Sequence, residues 1–485
     1  DGGLGELEAD ASIACAAPSF FGPIADRVVT GRDTMRGMSR RRSPFSRRVA
    51  MSGEHEPVAR STPYSDGSWS EADGVEVVTT LSRLDEKLTE IDAAWSVSDD
   101  AVRAVFATFR MEIEVQDCAD PWSDTYRAGQ FDLYRRISAR PVYSTDNEVS
   151  GFPVDPQRPF PYYTESHTTV GDQLMAIGYI IKTMGLPSGS SILEFGPGWG
   201  NTTIALSRMG YHVTALDIDP TFVQLIRDRA QLLGLSTDAR VGAFLDAATI
   251  DEQFDAVLFY ECFHHCSDHV RLLEDLHRVT KPGGRVFLAS EPIFDGFHAP
   301  WGLRLDGESL WAIRQNGWLE LGFTESYFVE TCVRQGWSVS RHASDVSHLT
   351  TIFSLSRLGD TIHPGSLRLP PVDEAGWAVP DSGTSGQRYC LSDSRLVCPV
   401  NGPWEQVKVN LVNPAPHDLP YAIHHGERVE RGRISKQSRK SLFLPYVRSA
   451  GSISFQTETW RPSDVIPGSM DGRDLGLGVE SIEFR

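Results

Sequence analysis

Apolar positions follow three rhythms along this chain. From Val75 to about Arg140 they recur at helical spacing. Leu81, Leu84, Leu88, Ile91 and Ala94 form one stripe, and Val102, Val105, Phe106, Phe109 and Ile113 the next. These stripes predict amphipathic helices that bury one face, an N-terminal helical cap. From about residue 161 to 358, short runs that are apolar throughout alternate with amphipathic stretches. The runs Ile192–Phe195, His212–Leu216, Phe254–Tyr260 and Arg285–Ser290, with another ending near Val241, predict buried parallel strands. Helices are predicted at about Thr168–Met184, Thr202–Met209, Val270–Val279 and Ser326–Gln335, and Ser267 or Asp268 can cap the third of these. A hairpin of Trp337–Arg341 and Thr350–Ser356 completes an α/β, doubly wound seven-strand sheet. From Gln387 the rhythm becomes strict alternation, in Glu405–Val412, Ser441–Leu444 and Ser452–Gln456, divided by turns rich in Pro, Gly and Asn. That pattern predicts an antiparallel β-sandwich or jelly roll.

The remaining stretches set the boundaries. Residues 1–75 are rich in Gly, Ala, Ser, Arg and Pro, lack periodicity and carry the arginine runs Arg40–Arg42 and Arg47–Arg48. They are expected to be a disordered extension. The cap then occupies 76–160, the α/β domain 161–358, a Pro/Gly/Ser-rich linker 359–386 and the sandwich 387–485. At 485 residues the chain is too long for one ordinary core, which agrees with that division. A formal charge of −19 argues against nucleic acid as a partner, since phosphate would be repelled. No stretch nears the ~20 apolar residues of a membrane span. Seven scattered cysteines, an odd number, predict free thiols in a reducing cytoplasm. Cys262 and Cys266 flank His264 and His265, with His269 beyond. This segment reads as a strand end turning into a helix with no further ligand cluster, so no metal is expected.

Chemistry concentrates at Glu194-Phe-Gly-Pro-Gly-Trp-Gly200. A buried strand stops at three alternating glycines and becomes a helix, which brings backbone close to a small ligand. The next strand ends at Asp217, near the spacing that puts a carboxylate on ribose hydroxyls. Glu194 would repel a pyrophosphate and favour a cationic sulfonium or amino group, which points to S-adenosylmethionine over NAD. Here the chain resembles the class I S-adenosylmethionine-dependent methyltransferases. Glu194–Gly200 matches their first motif, Asp217 their second-strand acid, and Lys281-Pro-Gly-Gly284 the turn before their fifth strand. The resemblance spans roughly Thr168 to Leu358 and implies a Rossmann-like fold. It also implies a cofactor site of Glu194, Gly196, Gly198, Gly200, Asp217, Ile218, Phe244 and Tyr260. Many relatives carry an acid after the third strand that meets the adenine. Here Ala243 and Phe244 occupy that place, so adenine is held by Phe244 stacking and backbone contacts, or Asp246 reaches it.

For a hydroxyl nucleophile a base is needed beyond strands four and five. His265 is placed first, His264 beside it, with Glu291 as an alternative base or hydroxyl ligand; Tyr260 and Glu261 are also there, and a structural role is open to either histidine. Tyr162, Tyr163 and His167 are candidates for a lid over the cofactor or for packing the cap. The connection after Glu291 carries Phe294, Phe297, His298, Trp301, Trp311 and Trp318, interleaved with Arg304, Asp306, Glu308 and Arg314. That mixture suits a sugar or polar-metabolite pocket, and equally a core. The closing Trp460–Asp464, Asp471–Gly476 and Val479–Phe484 resemble the end of β-sandwich modules attached to bacterial polysaccharide glycosyltransferases and methyltransferases. The resemblance implies O-methylation of a sugar or glycoconjugate, with the last domain binding carbohydrate or docking polysaccharide-biosynthesis proteins. Two alternatives stand beside it. One is a methyltransferase for a small non-sugar metabolite; the other is a non-catalytic carbohydrate-binding or scaffold protein retaining the fold.

Overall fold

The cap is built from side-chain-capped helices and a small sheet. In the computed structural model, β1 (Glu76–Val78) leads into α1 (Leu81–Trp95), α2 (Asp99–Phe106), β2 (Phe109–Met111) and α3 (Asp124–Ser138). Thr80, Ser98 and Ser123 accept the backbone N–H three residues on, satisfying a donor that a helix start leaves orphaned. The second helical stripe is therefore shorter than its spacing predicts. It stops at Phe106, and Phe109–Met111 pairs in parallel with Glu76–Val78. The described residues are 75–113, 120–149, 154–359, 361–362, 377–378, 388–400 and 404–485. They all fall in one compact unit. The expected disordered extension lies outside them, apart from Val75.

The central domain begins with α4 (His167–Met184) and runs through β3 (Ser191–Phe195), α5 (Asn201–Arg208), β4 (His212–Asp217), α6 (Pro220–Leu233) and β5 (Asp238–Val241). It continues with β6 (Phe254–Tyr260), α7 (His269–Val279) and β7 (Thr280–Ala289). Asp268 caps α7. A connection holding β8 (Trp301–Leu303), α8 (Gly307–Trp311) and β9 (Leu321–Phe323) precedes α9 (Glu325–Arg334), β10 (Trp337–Ala343) and β11 (Thr351–Arg357). The sheet order is β10-β11-β7-β6-β3-β4-β5. All neighbours pair in parallel except β11, which runs against both β7 and β10. This is the seven-strand doubly wound sheet that the rhythm predicts. Its order reverses between β3 and β6, so a crevice opens beyond the carboxyl ends of those strands.

Cap and sheet share one core. Val78, Leu84, Ile91 and Tyr134 of the cap pack in the same cluster as Phe195, Phe259 and Leu288 of the sheet. The connection is pinned into it: Tyr126 donates to the Trp301 carbonyl at 2.7 Å and Tyr134 to that of Gly317 at 2.6 Å. Cap and α/β domain are thus joined through this shared core.

The last region comprises β12 (Thr361–Ile362), β13 (Arg388–Tyr389), β14 (Asp393–Val397), β15 (Gln406–Asn413), β16 (Leu419–His425), β17 (Arg428–Ile434), β18 (Ser438–Pro445) and β19 (Ser452–Thr457). A short α10 (Pro462–Val465) and β20 (Gly478–Phe484) close it. Two antiparallel sheets face each other, β12-β20-β15-β18 and β14-β19-β16-β17. The predicted linker needs correction. Thr361 and Ile362 pair with β20, and Trp377 is 3% exposed inside the sandwich core, bridged to Cys390. No helix among the described residues is long and apolar enough to cross a membrane.

Candidate functional site

The three loop glycines do different work. All have positive φ: +58° at Gly196, +50° at Gly198 and +70° at Gly200. A Cβ on Gly200 would stand 2.4 Å from Ile226 Cγ1, so this glycine lets α5 close on α6. At Gly196 it would meet Cys262 Cβ at 2.8 Å. At Gly198 it would meet nothing within 4 Å, and the residue faces a cavity of about 280 Å³. Asp217 fixes the loop from the end of β4. Its Oδ2 accepts from Gly198 N–H and its Oδ1 from Asp219 N–H, both at 2.9 Å. Burial pushes its carboxyl up to about 6. Gly196, Ile218 and Phe244 also border the cavity. Asp246 accepts from the Ala243 N–H at 2.9 Å and so caps the short helix Phe244–Ala248. Phe244 and Ala243 lie on the cavity wall, whereas Asp246 does not border it.

Two expected cofactor contacts, besides Gly200, are not on that wall. Glu194 is buried and accepts the Thr203 hydroxyl at 2.5 Å, holding α5; burial pushes it up to about 7. Tyr260 donates to Gln173 Oε1 at 2.7 Å, toward α4. Strand alternation explains both. Glu194 shares a face with Ile192, and Tyr260 with Leu258, which pack beneath α4. Leu193, Phe195 and Phe259 take the opposite face, and the Phe195 and Phe259 rings stack at 5.0 Å. The expected lid packs outside the loop. Trp199 sits among Phe160, Tyr163 and Phe222, while Tyr162, Tyr163 and His167 are exposed and border neither cavity.

A second cavity, about 360 Å³, meets the first at Glu261 and Trp318, which border both. Arg304, Asp306, Glu308 and Trp311 line it, as the sequence mixture anticipates. Trp301 and Arg314 do not. Trp301 donates its indole N–H to the Pro121 carbonyl, and Arg314 holds Asp85 and the Ile137 carbonyl. Phe297 meets Phe294 edge-on and His298 at a tilt, and none of the three lines it. Sequence reasoning missed Arg103, Asp172, Glu320 and His348, which distant segments bring to this wall. Glu261 adopts φ +52°, a left-handed conformation uncommon for a side-chain-bearing residue, and accepts from Gln173 Nε2 at 2.8 Å.

The two histidines occupy the join. Glu291 accepts backbone N–H groups of Cys262, Phe263 and His264 at 3.0, 2.9 and 3.2 Å, and His264 Nδ1 lies 2.8 Å from its Oε2. Its side chain is closed to solvent and borders neither cavity. Glu291 thus holds His264 from behind the cavity walls. With Nδ1 donating, His264 Nε2 carries a lone pair, 3.5 Å from Glu320 Oε2 on the second cavity. His265 faces the first, its Nδ1 3.4 Å from Glu148 Oε2. Burial pushes both histidines down to about 4, so they are neutral near pH 7. The same loss of solvent pushes Glu148, Glu261, Glu291 and Glu320 up to about 7. His265 is the first-placed candidate base from the sequence; the structure puts it on the first cavity, while His264, its Nδ1 against Glu291, borders the second.

Residues 193–288 match a family model described as a methyltransferase domain. Over 115 residues the chain is 34% identical to a ubiquinone biosynthesis O-methyltransferase of Xylella fastidiosa (strain M23), covering 24% of this chain and 46% of that protein. Over 105 residues it is 34% identical to a demethylmenaquinone methyltransferase of Tropheryma whipplei (strain Twist), covering 22% and 43%. The chain thus spans less than half the length of these curated relatives. Among solved structures it is similar to a SAM-dependent methyltransferase from Methanosarcina mazei, with TM-score 0.31, 19% identity, and 37% of this chain and 98% of that one covered. It is also similar to the 1,6-didemethyltoxoflavin-N1-methyltransferase of Burkholderia thailandensis, with TM-score 0.30, 19% identity, and 41% and 82% covered.

Proposed function

We propose that this chain is an S-adenosylmethionine-dependent methyltransferase whose acceptor is a small polar molecule bound in the acid-lined cavity. One observation carries the reading. Two cavities meet at Glu261 and Trp318, beyond the carboxyl ends of β3 and β6, with open space over Gly198 in one and His264 on the wall of the other. The first cavity's residues fit the cofactor. Gly198 permits close backbone approach, Asp217 offers a carboxylate for ribose hydroxyls, and Phe244 and Ile218 offer apolar surface for adenine. When bound, S-adenosylmethionine supplies an electrophilic methyl group on a sulfonium. The protein's tasks are then orientation, exclusion of water and proton removal. Trp318 and Glu261 orient the acceptor at the junction. His264, held in one tautomer by Glu291, and the neighbouring Glu320 prepare its nucleophilic atom.

The sugar reading of the acceptor is favoured by Trp311 and Trp318 standing among Arg304, Asp306 and Glu308, flat apolar faces beside hydrogen-bonding groups. A small non-sugar metabolite fits the same cavity, and the curated relatives are named for quinone biosynthesis. On the sugar reading the β-sandwich binds carbohydrate or docks a polysaccharide-biosynthesis partner in the bacterial cytoplasm. The resemblance of the closing segment Trp460–Phe484 supports that part. Calorimetric titration with S-adenosylhomocysteine and, separately, NAD tests the core of the proposal. Binding of the former alone is expected and justifies a screen of sugar and phenolic acceptors with labelled S-adenosylmethionine. Binding of NAD alone, or of neither, overturns it.

A further inference from the structure

The corner between the cavities has the composition and spacing of a metal site. His264, His265 and Glu320 each offer a ligand atom, and these lie within 4.8 Å of one another. His264 Nε2 and Glu320 Oε2 are 3.5 Å apart. That is long for a hydrogen bond, and is about the edge of a tetrahedron with ligand bonds of ~2.1 Å. His264 Nδ1 is held by Glu291, the outer carboxylate that metal-ligating histidines commonly engage to fix ring and tautomer. His265 Nδ1 is shut off from solvent and has no hydrogen-bond partner among the described residues, although Glu148 Oε2 stands 3.4 Å away.

We propose that His264, His265 and Glu320 bind one divalent cation of the zinc class, with its open positions toward the acceptor cavity. Two imidazoles and a carboxylate select borderline cations over magnesium or calcium, which prefer oxygen donors throughout. Charge points the same way. Glu148, Glu291 and Glu320 bring three carboxylates to this corner, where the guanidinium of Arg304 approaches Glu320 at a long 3.4 Å and Asp306 at 3.1 Å. The sequence expectation of no metal turned on the lack of a further ligand cluster beside the histidines; Glu320 is such a ligand, and the cysteines stand apart. Cys262 Sγ donates to the Phe195 carbonyl, and both Cys262 and Cys266 are buried. Glu320 lies more than fifty residues from the histidines and enters through the connection after β7, which hides the set from sequence spacing. The cation site itself does not depend on the methyl-transfer reading; only its role in holding an acceptor does.

The test uses the full chain, stripped with chelator and then titrated with Zn²⁺ by calorimetry and with Co²⁺ by absorption. One equivalent per chain is expected, and the Co²⁺ spectrum should show d–d bands without thiolate charge transfer. Glu320→Gln should weaken Zn²⁺ by tenfold or more. Glu291→Gln, one step removed from the ion, should weaken it by about 10–100-fold. His265→Gln, with melting temperature recorded for every variant, serves if Glu320→Gln fails to fold. No stoichiometric ion in the wild-type chain, a thiolate spectrum, or unchanged affinity in folded variants overturns the proposal. Parallel S-adenosylhomocysteine titration separates the two claims. Metal without cofactor binding leaves this site standing and removes the methyltransferase reading; cofactor without metal does the reverse.

Discussion

The same substitution at two glycines two residues apart should have opposite consequences. Gly198→Ala places a methyl group where no protein atom lies within 4 Å, at φ +50°. The left-handed backbone costs about 1–2 kcal/mol of stability, and nothing else in the fold is disturbed. The methyl does enter the cavity where the loop backbone would approach a ligand, so affinity for S-adenosylhomocysteine should fall by tenfold or more, about 1.4 kcal/mol. Gly200→Ala carries the same backbone cost at φ +70° and adds a methyl 2.4 Å from Ile226 Cγ1. Ile226 is fully buried on the inner face of α6, so α5 and α6 must separate, and overpacking of this kind costs about 1–3 kcal/mol. Together the loss is about 2–5 kcal/mol, a large share of a typical domain's stability. Because Gly200 is not on the cavity wall, folded Gly200→Ala should bind the ligand almost as wild type does. Urea denaturation and calorimetry on both variants read the two quantities independently. Wild-type affinity in Gly198→Ala, or lost affinity without lost stability in Gly200→Ala, would refute the division of labour.

Glu291→Gln puts an amide nitrogen against backbone donors that now meet a carboxylate. Stability should fall by about 1–3 kcal/mol and turnover by tenfold or more, with S-adenosylhomocysteine affinity unchanged; equal kcat would remove Glu291 as the residue positioning His264. Stability should also fall as pH rises from 6.5 to 8. Glu194, Glu291 and Glu320 have carboxyls raised from 4.5 to about 7, so the fold holds their protons more tightly than the unfolded chain does. That stabilisation is full below about pH 4.5 and lost through about pH 7. His264 and His265, lowered from 6.5 to about 4, act oppositely between those values and contribute no slope above 6.5. Each raised carboxyl supplies up to about 1.4 kcal/mol per pH unit, and Glu194→Gln should flatten the decline of melting temperature; a melting temperature that climbs over this window contradicts the assignment. In the metal-free chain, neutral polyol acceptors should outperform their carboxylate or phosphate analogues, because Asp172, Glu261, Asp306, Glu308 and Glu320 outnumber Arg103, Arg110 and Arg304 on the cavity wall; a preferred anion in a kcat/KM comparison would reverse that. Trp377→Ala should destabilise the sandwich by about 3–5 kcal/mol, as core loss and not linker change, measured by denaturant unfolding.

The sheet was legible because a strand buried on both faces is a continuous apolar run. Phe254–Tyr260 stands where its run predicts, and α5 is displaced by one residue from its predicted span. The three-residue strands of the cap were not legible, since Phe109 continues the helical stripe numerically while its backbone pairs with Glu76. Asp217 and Phe244, named through motif and order, do line the first cavity. Glu194 and Tyr260 lie off the cavity wall, a placement that alternation already assigns by putting them on the faces of Ile192 and Leu258. Glu320, Asp172, Arg103 and Glu148 had no local signal. Each comes from a different segment, and only packing of the cap and the long connection over the sheet brings them together.

Several costly features of this fold coincide in one place, and that coincidence locates function better than any one of them. Glu261 and Ser290 hold left-handed backbones at the ends of β6 and β7, where either costs of order 1–3 kcal/mol. Beside them stand two histidines kept neutral and a set of carboxylates kept from water. Elsewhere the sheet obeys ordinary rules: apolar strands and helices capped by Ser166, Asp219, Asp268 and Thr324. A stability requirement alone would replace Glu291 and His264 with a well-packed apolar pair, which is commonly neutral or favourable in a core. Their retention at the one place where the strand order reverses, between the two cavities, is explained if the cost is offset by chemistry done there.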